Sequence, residues 1–278
     1  FLYLKDPKKL LWPTLLFILT FFTRQSVVAA PIAVFLDLLL SRKETIRAVQ
    51  FIGVYAAANA GLMALLSVLT HGQAYLHLIY YNKLVGIIWE NVATKYVRFF
   101  RPLGIMTAFA VYGLLTKKKD ILGIYFVLNA LLLVTAGKDG AAANYFIEPL
   151  LSVLLFGSCM LHDALLKNER SVALGLLLLL FQAVSLMENP RHYFSVLSNT
   201  LHPNYTEQER LSAYVQNAKW EDLSEDIGYL TMNKKTVLLE DPFYFAKLAQ
   251  AGMWDPSRLL SDCRNRRFAL IIAGERLK

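Results

Sequence analysis

Two short polar segments interrupt the apolar stretches of this sequence, and both contain side chains that bind anions or hydroxyl groups. The first is Thr23-Arg24-Gln25, near the middle of residues 10–40, where Arg24 and Asp37 are the only ionised residues. A guanidinium binds phosphate oxygens through two parallel hydrogen bonds, and a neighbouring amide adds another donor. We therefore interpret Arg24 and Gln25 as a candidate anion-binding elbow.

The second polar segment is the loop 137–148, which carries charges of both signs among small residues. Lys138 supplies a second cation. If the segment is helical, a spacing of four residues puts Asn144 and Glu148 on one face, where an amide and a carboxylate contact one ligand. Pro149 fits the first turn of a following helix, so Glu148 lies near a helix start. The alternative is a solvated turn whose glutamate interacts favourably with the helix N-terminus.

The elements that position these segments are apolar enough for a membrane, since 56% of the residues are hydrophobic and the mean hydropathy is +0.40. A hydrocarbon core about 30 Å thick needs about 20 apolar residues per helix, so residues 10–40 are too long for one span and short for two. We predict two short helices, 10–22 and 26–40, that meet at the elbow. An ionisable residue at such a place usually faces a bundle interior or a polar cavity. The alternative is that Arg24 extends to the lipid headgroups.

Further apolar runs follow the elbow at residues 49–69, 103–115, 121–136, 149–161 and 172–187. Together with the two elbow helices they predict seven spans, several of them shorter than a bilayer requires. Short and uneven helices suit a cavity better than a simple anchor. For residues 1–187 we therefore expect an all-α polytopic membrane bundle with short and re-entrant-like helices, forming part of a larger bundle.

The distribution of lysine and arginine predicts the orientation of these spans. Basic clusters at residues 5–9, 42–47, 117–119 and 167–170 fall on one side, which the positive-inside rule makes cytoplasmic. The elbow, the loop 137–148 and everything after the last span then face outward. The outer segment 70–102 mixes tyrosine, tryptophan and polar residues, which is typical of interfacial helices lying on a membrane surface.

The composition changes near Glu188, where charged residues become more frequent and apolar runs shorten. We predict a small soluble α/β domain over residues 188–278, outside the cytoplasm. Its expected elements are strands at 236–239 and 268–273 and a helix at 242–251 that ends before Gly252.

Several classes of function are disfavoured by the same sequence. The net charge of +8 comes from short clusters between apolar runs, without the basic face that nucleic-acid binding requires. Cys159 and Cys263 lie too far apart in sequence to indicate a disulfide framework or a metal site, and the spacing of His71 and His77 does not suit zinc. We expect no cofactor, with dependence on a divalent metal left open. The chain begins at Phe1 without a signal peptide, and we expect it to be a fragment.

Three groups of residues give the chain a resemblance to a known family. It resembles bacterial membrane glycosyltransferases of the type C superfamily, close to the dolichyl-phosphate-mannose protein mannosyltransferase group. Arg24 stands where the family more often has lysine. The matching stretches are residues 21–31, residues 144–149 and, in the soluble tail, residues 225–228, 241–243 and 248–255.

The resemblance implies transfer of a sugar from a polyprenyl-phosphate donor to a lipid, glycan or protein acceptor on the outer face of the bacterial inner membrane, in the cell envelope. Such enzymes carry their essential acidic residue in a first outer loop that would precede Phe1. We therefore assign no catalytic residue and expect the chain to be inactive by itself. A fixed cation stabilises the phosphate leaving group. The expected substrate-binding residues are Arg24, Gln25, Lys138, Asn144, Tyr145 and Glu148.

Two rival classes stay open. A non-enzymatic flippase or transporter of lipid-linked saccharides also uses short spans and a buried arginine. Transporters commonly contain repeats with paired broken helices, and the sequence has no second copy of the Arg24 elbow. A membrane acyltransferase is expected to place a histidine or serine nucleophile on a core-facing span, whereas His162 falls at a predicted cytoplasmic end.

Overall fold

The structure is a computed structural model in which the chain forms two compact units. Unit 1 comprises Phe1–Tyr80 and Val85–Glu188, and unit 2 comprises Tyr81–Leu84 and Asn189–Lys278. The two units are described separately. The residues described are 3, 9–24, 27–116, 121–139, 141, 143–166, 169–186, 206–218, 222–224, 227–239 and 241–272.

Unit 1 is built mainly from helices, as predicted for this part of the chain. Shorter helical turns continue or connect the main helices, among them a π turn at Asp37–Ser41, 3-10 turns at Leu133–Gly137 and Ala143–Phe146, and a π turn at His162–Leu166. The main helices are α1 (Leu11–Thr23), α2 (Ala29–Leu36), α3 (Thr45–Leu69), α4 (Trp89–Phe100), α5 (Gly104–Thr116), α6 (Ile121–Leu132), α7 (Ile147–Leu161) and α8 (Glu169–Leu186). Between α3 and α4 lie the short helical segments Gln73–Tyr75, Leu76–Tyr80 and Tyr81–Leu84, the last of which belongs to unit 2.

The two short helices predicted on either side of the elbow are present as α1 and α2. Arg24 is extended, with φ −160° and ψ 105°, and its backbone N–H donates the last hydrogen bond of α1 to the Thr20 carbonyl. The chain therefore leaves the helical path at Arg24. Gln25 lies outside the described residues.

Two helical segments of the described chain are long and apolar enough to cross a membrane, namely Thr45–Leu69 and Asn144–Ala164. A third results if α4 and α5, which are bent by 94° at a short break, are counted as one broken span. Helices α1, α2 and α6 are apolar but shorter. Length and composition thus indicate a membrane protein, while the count of seven spans stays a prediction.

The core of unit 1 forms where α5, α6 and α7 pack together around Phe126, Phe156 and Met160. Gly157 allows α5 and α7 to approach closely, because a Cβ at this position would lie 2.5 Å from the Met106 carbonyl oxygen. Small residues at helix contacts are the usual means of close packing in membranes.

The start of α5 is completed by a side chain from α8. The buried Gln182 amide accepts from Ile105 N at 3.1 Å and from Met106 N at 3.3 Å, and it donates to the Pro102 carbonyl. These bonds satisfy backbone N–H groups that the first turn of a helix leaves without partners.

A buried ionic cluster lies at the end of α2. Asp37 accepts hydrogen bonds from the Tyr3 hydroxyl at 2.6 Å and from Arg42 Nε at 2.8 Å. Burial, and then the hydrogen bond to Asp37, raises the pKa of Tyr3 above its ordinary value. The phenol therefore remains protonated and keeps donating to the carboxylate.

Unit 2 contains helices and a two-stranded parallel sheet. Its strands pair with Asp222 opposite Leu270 and Ser224 opposite Ile272. The elements in chain order are α9 (Thr206–Asn217), β1 (Asp222–Ser224), α10 (Ile227–Met232), α11 (Pro242–Gln250), α12 (Ser257–Arg264) and β2 (Leu270–Ile272).

One predicted strand of unit 2 is correct and one is wrong. The strand expected at 268–273 is present as β2, whereas residues 236–239 form no strand. A short apolar run becomes a strand only where a neighbouring edge is available to pair with it. Strand β2 pairs with β1. Because β1 begins with the charged residue Asp222, a search for hydrophobic runs does not find it.

The helix predicted at 242–251 is present as α11. Asp241 caps its start by accepting a hydrogen bond from Tyr244 N at 3.0 Å, and Pro242 occupies the first turn. Gly252, with φ of +68°, follows its end, where the left-handed conformation favours glycine.

Candidate functional site

The structure brings four of the predicted binding residues together at the junction of α1, α2 and α7. The Arg24 guanidinium donates a hydrogen bond to the Asn144 carbonyl oxygen and lies 5.0 Å from the centroid of the Tyr145 ring. Glu148 Oε1 accepts a hydrogen bond from Ala30 N at 3.3 Å. We call Arg24, Asn144, Tyr145 and Glu148 the elbow site.

Glu148 lies in the first turn of α7 and reaches the start of α2. Val28, which precedes α2, makes no side-chain cap, so the carboxylate takes the place of a capping residue by bonding Ala30 N. The half-buried Glu148 therefore interacts with a helix N-terminus, as the alternative interpretation expected, but the N-terminus is that of another helix. Pro149 lies in the first turn of α7, as predicted.

The predicted common face of Asn144 and Glu148 is interrupted in the structure. Asn144 lies in the 3-10 turn Ala143–Phe146, whereas Glu148 lies in the α-helical turn that follows. A 3-10 turn holds three residues rather than 3.6, so the spacing of four loses its meaning across this boundary. Asn144 contributes its backbone carbonyl to Arg24, while its side chain is exposed.

Lys138 is positioned by backbone hydrogen bonds to the segment before α4, and not by contacts with the elbow site. It forms an isolated β-bridge with Ile87, next to a hydrogen bond from Ile88 N to the Gly137 carbonyl at 3.0 Å. Within the described part of the chain, no hydrogen bond or ion pair joins the Lys138 side chain to Arg24 or Glu148.

Lys95 of α4, which the sequence analysis missed, is a second cation that contacts the segment before α7. Its Nζ donates to the Ala141 carbonyl at 3.3 Å and lies 5.8 Å from the centroid of the Phe146 ring. Phe146 also stacks on Phe99 of α4, with ring centroids 5.6 Å apart. Nothing in the spacing of these residues signals the contact, because it joins separate helices.

Two tyrosine–asparagine pairs on α3 and α6 also escaped the sequence analysis. Asn59 donates to the Tyr55 carbonyl at 2.8 Å, and Asn129 donates to the Tyr125 carbonyl at 3.0 Å. The Tyr125 hydroxyl hydrogen-bonds the Glu148 carboxyl group, whereas the buried Tyr55 hydroxyl has no hydrogen-bond partner among the described residues. A polar residue four positions after a tyrosine inside an apolar run is the signal that indicates such a pair.

The chemistry available at the elbow site is that of polar binding. A guanidinium and a carboxylate lie where the apolar helices α1, α2 and α7 begin or end, and the Tyr125 phenol of α6 bonds the carboxylate. The described residues contain no group of three or more histidine, cysteine, aspartate or glutamate side chains arranged to hold a metal ion. These groups suit a ligand that carries both a negative charge and hydroxyl groups.

Comparisons of this chain with family models, with curated proteins and with solved structures gave no match. The resemblance to type C glycosyltransferases therefore stays a prediction.

Proposed function

We propose that this chain is the donor-binding part of a membrane glycosyltransferase, which moves a sugar from a polyprenyl-phosphate donor to a lipid, glycan or protein acceptor. The observation that carries the proposal is the contact of Arg24 with Asn144 and Tyr145, which fixes a guanidinium at a break between apolar helices. The proposed location is the bacterial inner membrane, with the elbow site and residues 188–278 on the outer side. The distribution of basic clusters supports this orientation.

The role of Arg24 follows from the charge that develops on the donor. As the glycosidic bond breaks, negative charge grows on the lipid phosphate, and a cation already in place stabilises it most where water is scarce. A guanidinium has five N–H donors, so its contacts with Asn144 and Tyr145 are compatible with a bidentate phosphate contact. In this proposal Gln25 and Lys138 supply further donors to the phosphate.

Glu148 is the group that binds the uncharged part of the donor in this proposal. A carboxylate accepts hydrogen bonds from sugar hydroxyls, and the phenol of Tyr125 already bonds the same carboxylate. Because Glu148 also bonds Ala30 N, its position is fixed relative to the elbow. The site thus offers a cation for the phosphate and an acceptor for the hydroxyls.

The proposal is tested by measuring how the chain, reconstituted in lipid nanodiscs, binds polyprenyl phosphate and neutral polyprenol. We expect the wild type to prefer the phosphate, and Arg24→Gln to lower its affinity by at least about tenfold because a charge-assisted hydrogen bond is lost. Arg24→Lys keeps the charge without the bidentate geometry and is expected to bind at an intermediate level.

Arg98→Gln is the matched control, since Arg98 is an exposed arginine of α4. It is expected to leave the affinity unchanged. Equal affinity of wild type and Arg24→Gln for polyprenyl phosphate contradicts the proposal. Movement of a fluorescent lipid-linked saccharide across vesicles containing the chain identifies a flippase instead.

A further inference from the structure

Two buried oxygen atoms on α3 have no hydrogen-bond partner within the described structure. They are the Tyr55 hydroxyl and Asn59 Oδ1. Asn59 as a whole is only 8% exposed. Its amide nitrogen donates a hydrogen bond to the Tyr55 carbonyl, which fixes the side chain, while its amide oxygen accepts no hydrogen bond from a described residue.

An unpaired buried oxygen destabilises a protein, and native structures rarely keep one without a reason. The group gives up its hydrogen bonds to water on burial and gains none in return, whereas most buried polar atoms have a partner. Helix α3 is one of the two described helices that are long and apolar enough to cross a membrane. Because a polar group inside a membrane is costly and usually has a partner, we expect a partner for these oxygens.

The tyrosine–asparagine pair on α6 has the same residue types as the pair on α3 but leaves no buried oxygen without a hydrogen bond. Tyr125 interacts through its side chain with both Asn129 and Glu148, and neither residue has a buried oxygen without a partner. The pair on α3 has the same spacing and the same amide bond to the tyrosine carbonyl. What distinguishes it is that its two oxygens have no partner among the described residues.

The pair on α3 lies beside the elbow site. Helix α3 packs against α2 through Phe51, and Tyr55 follows Phe51 by one turn toward the start of α2, where Glu148 bonds the backbone. Asn59 follows one helical turn after Tyr55 on the same face. A ligand whose charged group contacts Arg24 is therefore positioned to extend from the elbow site toward α3.

We propose that Tyr55 and Asn59 form a subsite for the hydroxyl groups of the sugar carried by the polyprenyl phosphate. A phenol donates a hydrogen bond and an amide oxygen accepts one, and a sugar hydroxyl supplies both complements. The inference rests on the proposed function and assigns the sugar, rather than the phosphate, to α3.

The test compares two probes, polyprenyl phosphate and polyprenyl-phosphate mannose, binding to the chain in nanodiscs. Tyr55→Phe removes the hydroxyl alone, and Asn59→Leu removes the amide oxygen together with the amide nitrogen that bonds the Tyr55 carbonyl. Both keep most of the side-chain volume. Each is expected to lower the affinity for the mannosylated probe by about threefold to tenfold, and to leave the affinity for polyprenyl phosphate unchanged. Tyr112→Phe, at a half-exposed tyrosine of α5, is the matched control and is expected to change neither.

The outcomes separate the subsite from the proposed function. If the wild type binds polyprenyl phosphate but the α3 variants bind both probes normally, the subsite is wrong, and the two oxygens are satisfied by water. Equal losses for both probes also overturn the subsite, since they indicate a general structural defect. If the wild type binds neither probe, the proposed function itself is overturned and the subsite with it.

Discussion

Arg24 and Asp37, the two ionised residues of the first apolar stretch, are accommodated in different ways. Asp37 is paired with Arg42, which compensates its charge from the end of the same helical segment, and it also accepts a hydrogen bond from the distant Tyr3 hydroxyl. Arg24 contacts a carbonyl and an aromatic ring of a helix more than a hundred residues away in sequence. The first arrangement is a structural ion pair, and the second joins the break after α1 to the segment before α7.

The Asp37 cluster predicts a measurable stability effect. We expect Asp37→Asn to lower the free energy of unfolding by about 1–2 kcal/mol, because it removes a charge-assisted bond to Arg42. The cost is at the lower end for a buried carboxylate, since the Arg42 side chain is 40% exposed and water screens the pair. Chemical denaturation of the chain in detergent, followed by circular dichroism, measures the change.

Glu44→Gln is the matched control for Asp37→Asn. It removes the neighbouring ion pair between Glu44 and Arg47, in which both side chains are about one-third exposed. An exposed pair of this kind contributes little, so we expect a change within about 0.5 kcal/mol. Similar effects of the two variants would mean that Asp37 has no special structural role.

The residues of the elbow site could be proposed from the sequence, but the groups around them could not. Arg24 and Glu148 stand out because each is a charge at the edge of an apolar run. Tyr125 bonds Glu148, and Lys95 contacts the neighbouring Ala141 carbonyl, only because separate helices pack together. Spacing along a chain predicts which residues share a helix face, whereas it does not predict which faces of different helices meet.

At the scale of elements, the main feature is the 94° bend between α4 and α5. Helix α4 has exposed apolar residues such as Trp89 and Val97 together with the basic residues Arg98 and Arg101. If α5 runs across a membrane, α4 lies along its surface. This geometry agrees with the interfacial helix that the aromatic and polar composition of residues 70–102 predicts.

The bend predicts different membrane depths for α4 and α5. Spin labels on Val97→Cys and Val111→Cys, each in a background with both native cysteines replaced by serine, report depth by electron paramagnetic resonance. We expect the Val97 label at the headgroup level and the Val111 label in the hydrocarbon, because Val111 lies about 10 Å along α5 from its start. Both positions are exposed, so the labels do not disturb packing. Equal depths would rule out an in-plane α4.

Element bounds were predicted best where one local signal dominates. The break at Arg24 and the helix that begins at Pro242 both follow from residues within a few positions, and both are found where expected. The strand wrongly predicted at 236–239 and the missed strand β1 depend on pairing across the chain. Strand formation is decided by the partner edge, which a single apolar run does not reveal.

At the scale of the whole molecule, orientation in the membrane links the elbow site to its proposed ligand. A donor that is used on the outer face requires the elbow to lie on that side. The basic cluster at residues 42–47 precedes α3, and the aromatic segment 70–102 follows it. The positive-inside rule then places the start of α3 in the cytoplasm and its end outside.

The two ends of α3 therefore predict opposite accessibility. In cysteine-free protein expressed in bacterial cells, we expect Gln73→Cys to react with a membrane-impermeant thiol reagent and Lys43→Cys to react only after permeabilisation. Both residues are exposed just beyond the ends of Thr45–Leu69, so burial within the protein does not explain a difference. Helix α3 spans about 37 Å at 1.5 Å per residue, enough to separate its ends across the hydrocarbon core. Labelling of both positions from the same side would mean that α3 does not cross the membrane, and the reverse pattern would place the elbow site in the cytoplasm.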